Sequence, residues 1–100
     1  MPRRPIPTPP AGSELLLGRL LVRRPRGSAP YLLVEGHCPG CGRKHTHGWS
    51  VEYGLDGMAH KAAHCGDPTT RPWCSGYHVA LDPSLDHASQ AILDRFLRRR

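Results

Sequence analysis

The stretch HCPGCG at residues 37–42 decides how this chain folds, because it places Cys38 and Cys41 with only two residues between them. The intervening proline and glycine predict a tight turn that brings both sulfurs to one side. Gly42 after the second cysteine lets backbone N–H groups approach the thiolates. Thiolates and imidazoles at such spacings select zinc over harder metals. The sequence therefore predicts a zinc-binding knuckle here.

The remaining metal ligands are predicted from strand pairing. Residues 44–51 alternate in the manner of a strand, and residues 59–65 form a returning strand or a short helix after a turn at residues 54–57. If these two segments pair as a hairpin, His45 and His64 converge beside the knuckle, because cross-strand partners point to the same face.

Cys65 ends the second of these segments, and a turn there can swing its thiolate inward. We favour Cys65 as the third ligand because zinc binds thiolate more tightly than neutral imidazole, and we favour His45 as the fourth. A one-residue slip in register would reverse the facings, so His64 and His47 stay as alternates. The predicted zinc ligands are Cys38, Cys41, His45 and Cys65.

Two other interpretations of the cysteines are weaker. The order Cys38, Cys41, His60 and His64 resembles a two-Cys two-His finger, but its middle spacing of eighteen residues exceeds the usual value of about twelve. Disulfides need an oxidising compartment, and the N-terminal segment lacks the apolar run of a secretory signal. We interpret Cys74, in a proline-containing loop, as a free thiol.

Composition predicts one small domain that needs support from a metal. The chain has 100 residues, of which 38% are hydrophobic, with 11 glycines and 11 prolines. A core of this size contributes little stability, and metal binding supplies folding free energy directly. No stretch approaches the ~18 apolar residues that span a membrane. We expect a cytoplasmic protein with reduced or metal-bound cysteines and no membrane partner.

The predicted fold is a small β-rich (α+β) zinc-ribbon-like domain with two β-hairpins and a C-terminal helix. Residues 1–13 read as a disordered, proline-rich arm, and residues 14–100 as the single domain. The strands of the first hairpin are residues 14–22 and 31–35, on either side of a basic tip. Residues 44–51 and 59–65 make the second hairpin, and residues 77–81 a last strand.

The C-terminal helix is predicted over residues 83–98. Asp82 can cap it, and Pro83 suits the first helical position. An apolar stripe runs along one face at three- and four-residue steps and should face the core. The stripe consists of Leu85, Ala88, Ile92 and Phe96.

The net charge of +6 lies in the flanks of the presumed metal module. Two explanations of the arginine excess stay open. One is the codon usage of a GC-rich genome, and the other is phosphate contact, for which the arginine fork is suited. On the second explanation, the nucleic-acid-binding residues are Arg23, Arg24, Arg26, Arg98, Arg99 and Arg100.

The run CPGCGRKHTHG at residues 38–48, the later AHC at residues 63–65 and GY at residues 76–77 resemble a set of small, uncharacterised zinc-ribbon-like proteins of GC-rich bacteria and their phages. The resemblance covers residues 31–81. It implies a small β-rich metal-binding module and no established activity. Unlike a standard ribbon, this chain has no second Cys-x-x-Cys.

Three classes of function follow. The first is a zinc module that associates with DNA or RNA, with Trp49, Tyr53 and Trp73 either stacking on bases or packing over the metal site. The second is a protein-interaction adaptor without nucleic-acid binding. The third is a zinc hydrolase, which needs an open coordination position and a general base. Nothing in the sequence supports Glu52 in that role, so we expect no enzymatic activity.

Overall fold

The computed structural model describes residues 3–61 and 76–98. These residues form five strands and one α-helix, with short 3₁₀ turns at Val51–Tyr53 and Pro83–Leu85. The elements in chain order are β1 (Leu15–Arg23), β2 (Tyr31–His37), β3 (Lys44–Trp49), β4 (Met58–Lys61), β5 (Tyr77–Leu81) and α1 (Asp86–Arg98).

A single curled sheet has the strand order β3-β2-β1-β5-β4. Its centre is β1, whose two halves have different partners. Residues 15–18 pair in parallel with β5, whereas residues 19–23 pair antiparallel with β2. Strands β3 and β4 each add antiparallel to an outer edge. The sheet therefore bends where β1 changes partner.

Two glycines occupy that bend. A Cβ on Gly18 would lie 2.6 Å from Val34 Cγ2, and a Cβ on Gly36 would lie 2.5 Å from Leu16 Cδ2 and 2.6 Å from the Leu17 carbonyl oxygen. Any side chain would force β1 and β2 apart at this point. The absence of a Cβ therefore allows the two strands to cross closely enough for the sheet to curl.

The core lies on one face of the sheet, on alternating residues of each strand. Leu16 and Leu20 of β1 are buried, and Val34 and Val79 on the neighbouring strands are fully buried. Helix α1 packs over β1 and contributes Leu93. The remaining buried members of this core are Leu32, Cys38, Trp49, Ala59, Tyr77 and Leu81.

The C-terminal helix is predicted over residues 83–98, but α1 begins at Asp86, after a 3₁₀ turn in which Asp82 Oδ1 accepts a hydrogen bond from the Ser84 N–H at 2.9 Å. The buried residues of α1 are Ser89 and Leu93. The predicted stripe is wrong at its first half, because Leu85 and Ala88 are exposed. Leu85 belongs to the 3₁₀ turn, where the 3.6-residue period of an α-helix does not apply. Ala88 is turned about 100° around the helix from the buried Ser89.

The predicted second hairpin is wrong. Strand β3 pairs with β2, with Gly36 opposite His45, whereas β4 pairs with β5 on the far side of the sheet. The knuckle itself connects β2 to β3, and so short a connection between adjacent strands favours their pairing. The turn at residues 54–56 exists, but it leads the chain across to the other edge instead of back along β3.

The N-terminal segment 3–13 contains no helix or strand in the part that the structure describes. Arg4 binds Asp86 through two hydrogen bonds of 2.9 Å and donates another to the Leu81 carbonyl at 3.2 Å. The hydrogen bond with Asp86 raises the pKa of Arg4. Arg4 thus joins the arm to the start of α1. Within residues 3–61 and 76–98, no helix has the length and apolar character needed to cross a membrane.

Candidate metal centre

The knuckle closes the β2–β3 hairpin. The Cys38 N–H donates to the Arg43 carbonyl at 2.8 Å, and the Gly42 N–H donates to the Cys38 carbonyl at 2.9 Å. Gly42 has a φ of 74°, a left-handed conformation that glycine adopts without strain. The Gly40 N–H points at Cys38 Sγ, 3.3 Å away. The turn therefore supplies both the position of the sulfur and a donor that stabilises negative charge on it.

Cys38, Cys41 and His45 converge at this turn. Their ligand atoms all lie within 4.8 Å of one another, and Cys41 Sγ is 3.3 Å from His45 Nε2. Ligand atoms around a tetrahedral zinc ion lie about 3.3–3.8 Å apart, given Zn–N and Zn–S bonds of about 2.0 and 2.3 Å. Two thiolates and an imidazole also have the chemistry that suits zinc. The cluster could therefore hold a metal ion.

His45 joins the cluster through a different pairing from the one that predicted it. It is the second residue of β3, opposite Gly36, and so sits directly beside the knuckle. The predicted ligand Cys65 and its alternate His64 lie outside the described residues, as does Cys74. Among residues 3–61 and 76–98, the cluster consists of three residues.

His47, the other alternate, is not part of the cluster. It is buried on the same face of β3, two residues beyond His45, and its Nε2 lies 2.6 Å from the Tyr77 hydroxyl. The same hydroxyl lies 3.0 Å from His45 Nδ1. Tyr77, on β5, is fully buried and links the two histidines.

A metal ion bound to Nε2 of His45 would set the direction of these hydrogen bonds. The proton of the His45 ring would then sit on Nδ1 and be donated to Tyr77 Oη, and the Tyr77 hydroxyl would donate to Nε2 of His47. Histidine ligands of zinc commonly donate their second N–H to such a partner, which orients the ring and raises its basicity. Tyr77 is the residue that sequence reasoning missed, because its position on a distant strand gives no local signal.

Replacing Tyr77 with phenylalanine should weaken metal binding without unfolding the chain. The ring stays to fill the core, but the hydrogen bond that orients His45 is lost. Loss of such a partner lowers metal affinity by about 10- to 100-fold. Competition with a chromophoric zinc chelator measures this change. Tyr31→Phe, at an exposed tyrosine, is the matched control and should leave the affinity unchanged. Equal affinities for the two variants would contradict the assignment.

Three of the predicted nucleic-acid-binding arginines lie at the other end of β2 from the knuckle. Arg23, Arg24 and Arg26 are exposed at the β1–β2 connection, and Arg98 is exposed at the end of α1. Within residues 3–61 and 76–98 none of these four forms an ion pair, whereas Arg19 pairs with Glu35 at 3.3 Å. Arg99 and Arg100 lie outside the described residues. The charge of the basic tip is therefore uncompensated by described neighbours.

Trp49 and Tyr53 were predicted either to stack on bases or to pack over the metal site, and their positions match neither alternative fully. Trp49 is buried and its ring packs edge-on against Tyr53, with centroids 4.9 Å apart. Trp49 ends β3 and Tyr53 follows it, at the opposite end of the strand from His45, so they pack in the core but not over the metal cluster. Trp73 lies outside the described residues. Tyr31, which the sequence did not single out, is instead 47% exposed beside the basic tip.

Comparison of the chain with known protein families, with curated proteins and with solved structures finds no match.

Proposed function

We propose that this protein is a small zinc-stabilised module that binds nucleic acid through a basic end remote from the metal. The observation that carries the proposal is the separation of two features by the length of one strand, β2. The donor cluster lies at the knuckle end of β2, and the unpaired arginines lie at its other end. Seven residues of strand separate them by roughly 20 Å.

The metal in this proposal is structural zinc. The β2–β3 hairpin with its knuckle is the ribbon-like half of the site, and Cys65 or His64 completes it. Glu52, the carboxylate considered as a general base, follows the far end of β3 and is exposed there, away from His45. This position of Glu52 supports a role of the metal in folding rather than in catalysis. Thiolate ligands also favour a reducing compartment, so we place the protein in the cytoplasm.

Positive charge at the basic tip supports nucleic acid as the partner. Arginines neutralise phosphates and release condensed counterions, so the binding that they provide weakens steeply with salt. Phe96, near the end of α1, lines the same groove as Pro30 and Tyr31 at the base of the β1–β2 tip, so the two sources of charge lie near one another. We therefore expect one continuous basic surface, with contacts to the backbone more than to particular sequences.

The triple variant Arg23→Ala, Arg24→Ala, Arg26→Ala should bind oligonucleotides at least tenfold more weakly at low salt. The slope of log affinity against log salt concentration should become shallower by about two, because each phosphate contact on a single strand contributes about 0.7. Fluorescence anisotropy of a labelled oligonucleotide, titrated at several salt concentrations, measures both quantities.

Arg19→Ala is the matched control, since Arg19 is exposed but already paired with Glu35. It should change the slope much less than any one of the tip arginines. Failure of the parent protein to bind any DNA or RNA at micromolar concentration and low salt would overturn the proposed function.

A protein adaptor is the second candidate, and one feature favours it. Strand β3 lies at an edge of the sheet, and open space surrounds the position of a Cβ on Gly48. A partner strand can add to such an edge through backbone hydrogen bonds. Recovery of one stoichiometric protein partner that survives nuclease treatment, together with absent oligonucleotide binding, would select this candidate.

A further inference from the structure

A groove lies between the base of the basic tip and the end of α1. Its volume is about 520 Å³, and three aromatic residues line it, namely Tyr31, Trp49 and Phe96, with Pro30 and Val51 beside them. The groove is at the opposite end of β3 from His45, so it is distinct from the metal centre. Its size falls within the roughly 300–1,000 Å³ typical of pockets for small organic groups.

Arginines lie near this groove on β1 and on α1. Arg23 is the cross-strand partner of Tyr31, so the two side chains share one face of the sheet, opposite to the face of Leu32 and its partner Trp49. Arg95 and Arg98 flank Phe96 on α1 and are exposed. No acidic residue is found among the groove's lining residues in the described chain. An occupant with a flat apolar part and negative charge would complement this combination.

We propose that the groove binds an unpaired base of a single-stranded nucleic acid, with Tyr31 as the stacking platform. This inference rests on the proposed function and adds the class of nucleic acid and the residue that selects it. Every base presents a flat face on which an aromatic side chain can stack, but in a duplex those faces are covered by neighbouring base pairs. The exposed ring of Tyr31 therefore favours binding of single strands over binding of duplexes, while the arginines contact the adjacent phosphates.

The test compares a labelled twelve-nucleotide oligothymidine with a labelled twelve-base-pair duplex, each titrated with the full-length, zinc-loaded protein. Tyr31→Ala should weaken binding of the single strand at least tenfold and binding of the duplex less than twofold. Leu85→Ala is the matched control, because Leu85 is 37% exposed in the 3₁₀ turn before α1, at the opposite end of the helix from Phe96. It should leave both affinities unchanged.

The outcomes separate the inference from the function on which it rests. If Tyr31→Ala binds both oligonucleotides as tightly as the parent while the arginine triple variant is weakened, the stacking site is wrong and the proposed function stands. The same result would favour an apolar protein segment as the occupant of the groove. If the parent binds neither oligonucleotide, the proposed function itself fails.

Tyr31→Phe keeps the stacking face and should bind the single strand like the parent. Equal losses of affinity in the phenylalanine and alanine variants would also overturn the inference.

Discussion

Replacing Cys38 with serine should abolish metal binding and leave the chain largely unfolded. Cys38 is 2% exposed and belongs to the core as well as to the donor cluster. Structural zinc sites contribute on the order of 10 kcal/mol of binding free energy at neutral pH, and small domains have only about 5–15 kcal/mol of total stability. Removal of one ligand therefore removes most of what holds the fold. Metal analysis and far-ultraviolet circular dichroism of the purified variant measure the two effects.

Two further serine variants sharpen this result. Cys74→Ser should keep one equivalent of zinc, because the sequence predicts a free thiol there. Cys65→Ser should lose zinc if that cysteine is the ligand that joins Cys38, Cys41 and His45, and retention would transfer the role to His64. Cobalt substitution measures the coordination geometry of the metal. For a structural site, the spectrum of the bound cobalt ion should indicate four protein ligands and no water. Full zinc content in Cys38→Ser would contradict the assignment of the metal centre.

Replacing Gly36 with alanine should destabilise the fold by about 2–4 kcal/mol, more than most single methyl additions. The added Cβ would lie 2.5 Å from Leu16 Cδ2 and 2.6 Å from the Leu17 carbonyl oxygen, and a backbone oxygen cannot move aside as a side chain can. Strands β1 and β2 would have to separate where the sheet bends. Denaturant unfolding of the zinc-loaded protein measures the change.

Gly48→Ala is the matched control in the same sheet. Gly48 lies in β3, and its added Cβ would meet nothing within 4 Å. Alanine there should be neutral or slightly stabilising, because glycine costs about 0.5–1 kcal/mol in the interior of a strand. Equal free energies of unfolding for the two variants would show that the close crossing of β1 and β2 does not limit stability.

Local sequence signals predicted the elements of this fold well. The apolar run before the basic tip and the short run after it became β1 and β2, and Asp82 with Pro83 marked the 3₁₀ turn that leads into the C-terminal helix. The two-residue spacing of the cysteines likewise predicted the knuckle. Each of these depends on residues that are close in the chain, where propensity and turn chemistry act directly.

The arrangement of those elements was not predictable in the same way. The turn residues at 54–57 suggested a hairpin, but they do not specify which strand receives the chain afterwards. The pairing of β3 with β2 followed from the knuckle, and the pairing of β1 with β5 depends on the buried faces of both strands. His45 was predicted on the basis of the wrong pairing, whereas Tyr77 was missed because its strand is remote in sequence.

The divided partnership of β1 also has a consequence for the order in which the chain folds. Strands β1, β2 and β3 follow one another closely, so they can pair as soon as their short connections close. The parallel pairing of β1 with β5 must instead join two parts of the chain that are distant in sequence. Ser13, just before β1, and His78 in β5 form a hydrogen bond although they are 65 positions apart. Closing so long a loop costs entropy before any contact repays it, which makes such pairings slow. Metal captured at the knuckle would therefore order the early three-stranded unit first, and that unit would serve as the template on which the rest of the chain assembles.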